Sequence, residues 1–338
     1  VTFVGPMMQT LNIQKNTPGP YRLEKLHVRS RCVVTNTVPV GPYRGAGRPE
    51  GVFIMERLID KAARELRIDA AELRRRNLIQ PAELPHRAAS GLTYDSGDFP
   101  KVLEAAIARA DRAGYAARRR QSEAAGRLRG FGLAYYLEVT ADSGKEHGGV
   151  RFEPDGRVTI VTGTLDYGQG HRTPFAQVLS ARLGIPFELI DLVQGDSDQL
   201  IVGGGTGGSR SIMASGTAIL KAADQVDIRF ADGRFTVAGT DRSVGILELA
   251  ARRRSLGSLP KGLPAGLDAQ LVIDTPPSAY PNGCHIAEVE IDPATGVVEL
   301  QRYTAVNDFG TVVNPMLVAG QVHGGVVQGI GQALLENT

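Results

Sequence analysis

The stretch GVRFEPDGRVTIVTGTLDYGQGHRTPFAQVLSARLG, residues 149–184, holds the pattern that decides the fold class. Alternating apolar runs flank Glu-Pro-Asp-Gly, and proline followed by Asp-Gly is turn chemistry, so the first half predicts a β-hairpin. A glycine-rich turn follows, and then a helix over residues 175–183. HIAEVEIDPATGVVELQRYTAV, residues 285–306, repeats the hairpin design with DPATG as its turn, which suggests an internal duplication. Helical pieces AQVLSARLG (176–184) and SIMASGTAILKAADQV (211–226) stand between the hairpins. Strands and helices in segregated blocks favour α+β over a wound parallel sheet.

A length of 338 residues fits roughly two domains, each large enough to bury a core. The formal charge of +2, with scattered arginines and no interleaved aromatics, argues against nucleic acid. No apolar run approaches the ~20 residues of a membrane span, and VTFVGPMMQT lacks a signal peptide's features, so the cytoplasm is expected. Cys32 and Cys284, far apart, exclude a disulfide framework or cysteine zinc site and are expected to be small buried hydrophobes. The histidines show no metal-ligand spacing, so any metal must arrive inside a cofactor that brings its own ligands.

Towards the N-terminus, residues 23–40 alternate β-branched side chains and are expected as strands stopped by prolines. From Pro49, apolar Val52, Met55, Ile59, Ala62 and Leu66 fall at helical spacing. A second helix begins after Asp69 as N-cap, with Arg74, Arg75 and Arg76 expected as its solvated end. Residues 80–130 are the candidate connection between halves and include an alanine-rich helix over 101–120.

Three glycine-centred loops are candidates for chemistry. In TLDYGQGHRT, Gly168, Gln169, Gly170 and His171 lie at a strand-to-helix turn, where backbone N–H groups and the helix dipole suit an anion. Tight-turn geometry alone explains such glycines equally. In GGGTGGSRS, residues 203–211, the glycines can form a nest of N–H groups. Ser209 and Ser211 can cap the next helix, and Arg210 offers a bidentate fork. Neither the Walker A lysine nor the dinucleotide fingerprint is present. The third loop, from Asn314, places Gln321 beside Gly320. Asp196 and Asp198 in GDSD are expected as turn formers rather than metal ligands.

Together with PVGPYRGAGRPEG (39–51), GLTYDSGDF (91–99), YPNGCHIAEVEIDPATG (280–296) and NDFGTVVNPMLVAGQVHGGVVQGIGQAL (307–334), these stretches resemble, in order, the large subunit of molybdenum hydroxylases. That family comprises the xanthine dehydrogenase, aldehyde oxidoreductase and aerobic carbon monoxide dehydrogenase type. The resemblance implies two elongated molybdenum-cofactor-binding domains with mixed sheets and flanking helices. Residues 1–98 would be the C-terminal part of the first, and 99–338 the second, truncated before its end.

The resemblance also implies a molybdenum–molybdopterin cofactor, in a dinucleotide form such as molybdopterin cytosine dinucleotide. Its contacts would be Arg44 of the YRG loop, Gly168, Gln169, Gly170, His171, Gly207, Gly208, Ser209, Arg210, Ser211 and Gln321; His171 could instead only pack or cap. Partner subunits would carry 2Fe-2S centres (the small subunit) and FAD (the medium subunit), in a dimer of heterotrimers. The family hydroxylates a small-molecule substrate with water-derived oxygen, using a glutamate base in a motif beyond this stretch. Glu336 is not its equivalent, so no catalytic residue is assigned and this segment alone is expected to be inactive. A helix usual in the family between LKAADQV and DIRFADGRF is missing. Gly45 stands where copper-containing carbon monoxide dehydrogenases carry cysteine, and Ala46 where xanthine-type enzymes carry phenylalanine. An aldehyde or N-heteroaromatic substrate is therefore expected, the alternative being a non-catalytic scaffold that mediates subunit assembly.

Overall fold

A computed structural model describes residues 7–37, 40–142, 144–225, 230–231, 233–236, 243–256 and 266–336. In chain order come α1 (Met7–Asn16), α2 (Arg48–Leu66), α3 (Ala70–Asn77), β1 (His86–Arg87), β2 (Thr93–Tyr94), α4 (Phe99–Arg109), α5 (Tyr115–Ala124), β3 (Leu128–Leu137), β4 (Lys145–Phe152) and β5 (Val158–Thr162). Then follow α6 (Arg172–Leu183), β6 (Ile190–Gln194), α7 (Ser211–Asp224), β7 (Phe230–Ala231), β8 (Arg234–Thr236), β9 (Ser243–Gly245), α8 (Ile246–Ser255), β10 (Ala269–Asp274), β11 (Asn282–Ile291), β12 (Val298–Asp308) and α9 (Pro315–Leu334). The class is α+β.

Two compact units form, and neither is contiguous: residues 1–140 with 279–310, and 141–278 with 311–338. The first unit gains residues 279–310 because β11 pairs with β3 as well as with β12. Asn282 faces Leu137 on one side and Asp308 on the other, which draws the second hairpin into the first unit.

In the first unit the antiparallel sheet β12-β11-β3 buries Leu133, Tyr135, Leu137, Cys284 and Ile286 against Phe99, Leu103 and Ala106 of α4. Each large side chain so buried contributes about 1.5–3 kcal/mol. α3 starts where expected: Asp69 accepts from the N–H of Ala71 (2.9 Å) and Glu72 (3.1 Å). Its arginine run departs from expectation. Arg75 and Arg76 are solvated, but Arg74 is 0% exposed and donates through Nε to Glu56 Oε2 at 2.9 Å and through Nη2 to Leu133 O at 3.0 Å. Glu56, 5% exposed, also accepts from Tyr21 Oη (2.6 Å) and Tyr135 N (2.8 Å). Burial alone would lower Arg74, but the charges of Glu56 and its neighbours hold the guanidinium well above its ordinary value. Arginine at a helix end reads as exposed; only tertiary structure reveals the carboxylate facing it.

Other expectations fail for identifiable reasons. Residues 23–37 form no strand, and the one bridge nearby, from Tyr21 to Leu78, lies before them; positions 38 and 39 of the expected stretch fall outside the described residues. Cys32 lies on that exposed segment, whereas Cys284 is buried as expected. The helix expected over 101–120 is two helices, broken at Asp111, whose φ of +49° leaves the helical region. The junction where a family helix was expected falls at residues 226–229, outside the described residues.

The second unit carries the mixed sheet β10-β4-β5-β6, antiparallel except for β5 and β6, which run parallel across the α6 crossover. Val158, Ile160 and Ile190 form its core with Phe175 and Leu179 of α6 and Ile219 and Ala222 of α7. Gly148 lets α7 lie directly on β4, because a Cβ there would come within 2.5 Å of the Ala218 carbonyl carbon. The sheet thus delivers the ends of β5 and β6, and the N-termini of α6 and α7, to one region of this unit.

Candidate functional site

At that region two glycine loops meet. Gly205 N donates to Gly163 O at 3.1 Å, and Leu165 N donates to Thr206 Oγ1 at 3.1 Å. Gly163 cannot be larger: a Cβ would stand 2.6 Å from Val202 O and 2.8 Å from Gly203 Cα. The structure therefore brings the 168–171 and 207–211 sets into one loop pair.

The first loop differs from expectation in how its N–H groups are used. Asp166 Oδ1 accepts from Gly168 N (2.8 Å) and Gly170 N (3.2 Å), and Oδ2 accepts from His171 N (2.8 Å). A carboxylate of the chain itself fills this anion nest. Burial would raise the Asp166 carboxyl, but those N–H groups hold it below its ordinary value. What the loop can still offer is Gln169, whose Oε1 accepts from Tyr167 N. Asp166 sits two residues before Gly168, the Asx-turn spacing, a signal present in the sequence but not used. His171 is buried at the start of α6 with its ring against Phe175, and Gln194 Nε2 lies 3.3 Å from Nδ1. Burial lowers its pKa, partly offset by Asp166 and Gln194.

The second loop suits an anion better. Gly205 (φ +65°), Gly208 (+68°) and Ser209 (+57°) hold left-handed backbone. For serine that conformation costs roughly 1–3 kcal/mol, a strain that concentrates at functional sites. Nothing lies within 4 Å of a Cβ placed on Gly207 or Gly168. Ser211 is the first residue of α7 rather than its cap, and its Oγ turns to Thr206 Oγ1 at 3.4 Å; the N-cap residue is Arg210, with no side-chain cap. A guanidinium at a helix N-terminus lined by glycines fits a phosphate by charge and by dipole. Gln321 lies within α9 rather than in a loop, and the start of α9 adjoins the GQG loop. Asn314 Nδ2 donates to Gln177 Oε1 at 3.0 Å, and a Cβ on Gly170 would stand 3.1 Å from Leu317 Cδ2.

Arg44 belongs to the first unit. Its turn runs through Gly45 (φ +98°), Ala46 (+50°) and Gly47 (+96°), and Gly47 packs on the Gln9 backbone of α1. Asn12 Nδ2 pins Ala46 O at 2.8 Å. Gln9, 9% exposed, has neither amide atom hydrogen-bonded, although buried amides are nearly always paired. Sequence reading missed α1 altogether.

Asp196 is a turn former, accepting from Asp198 N at 3.0 Å and Gln199 Nε2 at 2.6 Å. Among the described residues, no three His, Cys, Asp or Glu groups could hold a metal ion, and no helix is long and apolar enough to cross a membrane. In the second unit the donor set is one of glycines, amides, hydroxyls and the Arg210 guanidinium. It fits a pterin phosphate that carries its metal on ligands of its own.

Comparison with known proteins agrees. The molybdopterin cofactor-binding domain family matches over residues 4–78 and 108–338. The carbon monoxide dehydrogenase large chain of Hydrogenophaga pseudoflava is 35% identical over 94% of this chain and 43% of its own length. The nicotine 6-hydroxylase large subunit of Paenarthrobacter nicotinovorans is 34% identical, over 94% and 42%. Quinoline 2-oxidoreductase from Pseudomonas putida 86 superposes with a TM-score of 0.87 at 30% identity, covering 96% of this chain and 45% of its own. The chain thus spans less than half the length of the relatives it matches.

Proposed function

The chain belongs to the molybdenum hydroxylase large-subunit family, built on molybdopterin cofactor-binding domains, and from that premise we propose that its protein hydroxylates an N-heteroaromatic or aldehyde substrate. The bound cofactor supplies the two-electron redox chemistry. This chain's own residues bind and orient it. Arg210 and the N-terminus of α7 neutralise phosphate, Gly207, Gly208 and Ser209 allow close backbone approach, and Ser211 offers its hydroxyl. In the GQG loop, Gly168 and Gly170 shape the turn, Gln169 offers hydrogen bonds to the pterin, and His171 supports the turn from within.

The observation that carries the reading is the strained, glycine-lined loop over the Arg210-capped helix, tied to the GQG loop. The appended nucleotide makes the cofactor a dinucleotide. Gln321 is a further contact of the same unit; Arg44, in the first unit, is assigned to the cofactor on the family resemblance alone.

Gly45 supplies no thiolate for copper. Electrons leave through 2Fe-2S and FAD on partner subunits, in a dimer of heterotrimers working in the cytoplasm.

The test is turnover by the complete complex with an artificial electron acceptor. Oxidation of an aldehyde or of a quinoline- or pyridine-type compound is the expected result. Oxidation of carbon monoxide in preference to these would overturn the substrate reading.

A further inference from the structure

A run of buried polar side chains links the two glycine loops from behind, and the contacts assigned above do not use it. Glu146 on β4 is 4% exposed, and its Oε1 accepts from Gly163 N at 2.9 Å and His147 N at 3.1 Å. Ser215 on α7 donates to Thr164 Oγ1, next to Gly163, at 3.2 Å. Thr164 accepts from Gln194 Nε2 at 2.7 Å, and that nitrogen reaches Thr162 Oγ1 at 3.0 Å and His171 Nδ1 at 3.3 Å. Thr162, Thr164 and Ser215 are each 1% exposed or less.

The chemistry gives this run a direction. Gln194 Nε2 has two protons, and its two shortest contacts place them on Thr164 Oγ1 and Thr162 Oγ1, so Gln194 ties the end of β6 to that of β5. At the other end, a carboxylate held away from water under Gly163 faces the charge of Arg210. Buried networks of this kind hold one geometry when every member is satisfied, and loosen when one is lost.

We propose that Glu146 is a positioning residue for the cofactor. Through Gly163, whose carbonyl accepts from Gly205 N, and through the neighbouring Thr164, held by Ser215 and Gln194, it sets loops 163–171 and 203–211 in one register. This rests on the reading that those loops hold the cofactor.

The test compares the complete complex carrying wild-type chain, Glu146→Gln, Thr164→Val, or both. Two quantities are read: the rate of molybdenum loss on dialysis, and the thermal midpoint of the cofactor-depleted protein. Each single variant should lose molybdenum on the order of 10-fold faster, the scale of one buried hydrogen bond to a charged group. Their effects should not multiply, because either breaks the same run.

The depleted midpoints should stay within a few degrees of wild type. Wild-type retention in both variants, multiplying effects, or midpoints falling in step with molybdenum loss would overturn the proposal. If Glu146→Gln fails to accumulate, Thr164→Val with Gln194→Leu repeats the cycle. A wild-type complex without molybdenum would instead overturn the reading beneath it.

Discussion

Replacing Gly163 by alanine tests the loop pair directly. The backbone there needs no left-handed conformation, so the added methyl acts by volume alone. It would stand 2.6 Å from Val202 O, where ordinary contact begins at 3.4 Å, so loop 203–211 must retreat by 0.8 Å (3.4 minus 2.6). Glu146 Oε1, at 2.9 Å, blocks relief in that direction. Overpacking of this kind costs about 1–3 kcal/mol. The Gly205-to-Gly163 hydrogen bond adds roughly 1 kcal/mol when stretched. Lower chain entropy in the unfolded state returns about 0.5 kcal/mol. The net is about 1.5–3.5 kcal/mol, which lowers the melting temperature by roughly 3–14 °C. Gly207→Ala is the control: its Cβ meets nothing within 4 Å, so the fold should be unchanged while molybdenum content falls, because the methyl occupies space assigned to the cofactor. Equal stability of the two variants would refute the loop geometry. Full molybdenum in Gly207→Ala would refute the assignment of that space.

Arg74→Met leaves the Glu56 carboxyl buried without its counter-charge and should destabilise the full-length subunit by about 3–5 kcal/mol in denaturant unfolding. Adding Glu56→Gln should recover most of the loss; no recovery would mean that Arg74 acts by packing rather than charge. For pH, burial lowers the pKa of His147, and its Nδ1 accepts from Ile201 N at 3.2 Å. Protonation then favours the unfolded chain, so stability is complete above the ordinary value of 6.5 and is lost as pH falls from there towards the folded value. His147→Gln should flatten the fall in unfolding free energy between about pH 7 and pH 5. The raised carboxyls of Glu56 and Glu146 act with opposite sign but are common to both proteins, so equal slopes would contradict the burial argument.

Where short-range chemistry decides, the sequence was legible. The Glu-Pro-Asp-Gly and Asp-Pro-Ala-Thr-Gly turns, the Asp69 cap and the apolar spacing of α2 each act within a few residues. The glycine loops were recognisable by composition, but not the use of their N–H groups, since Asp166 competes with any ligand for the first nest. Long-range pairing was invisible. Nothing in residues 282–291 announces that β11 will join β3 across the intervening unit, and nothing in Glu56 announces Arg74. Glu146 gave no signal because a carboxylate in a strand reads as an exposed face. Gln9 gave none because its significance lies in lacking a partner.

The central claim is that this chain holds a molybdenum cofactor through these loops. The most direct test is molybdenum per polypeptide, by elemental mass spectrometry, in the complete complex purified from its native source. The account requires a value near one. A value near zero, with partner subunits present and other molybdoenzymes of the cell loaded, would contradict it and favour a scaffold that only assembles its partners.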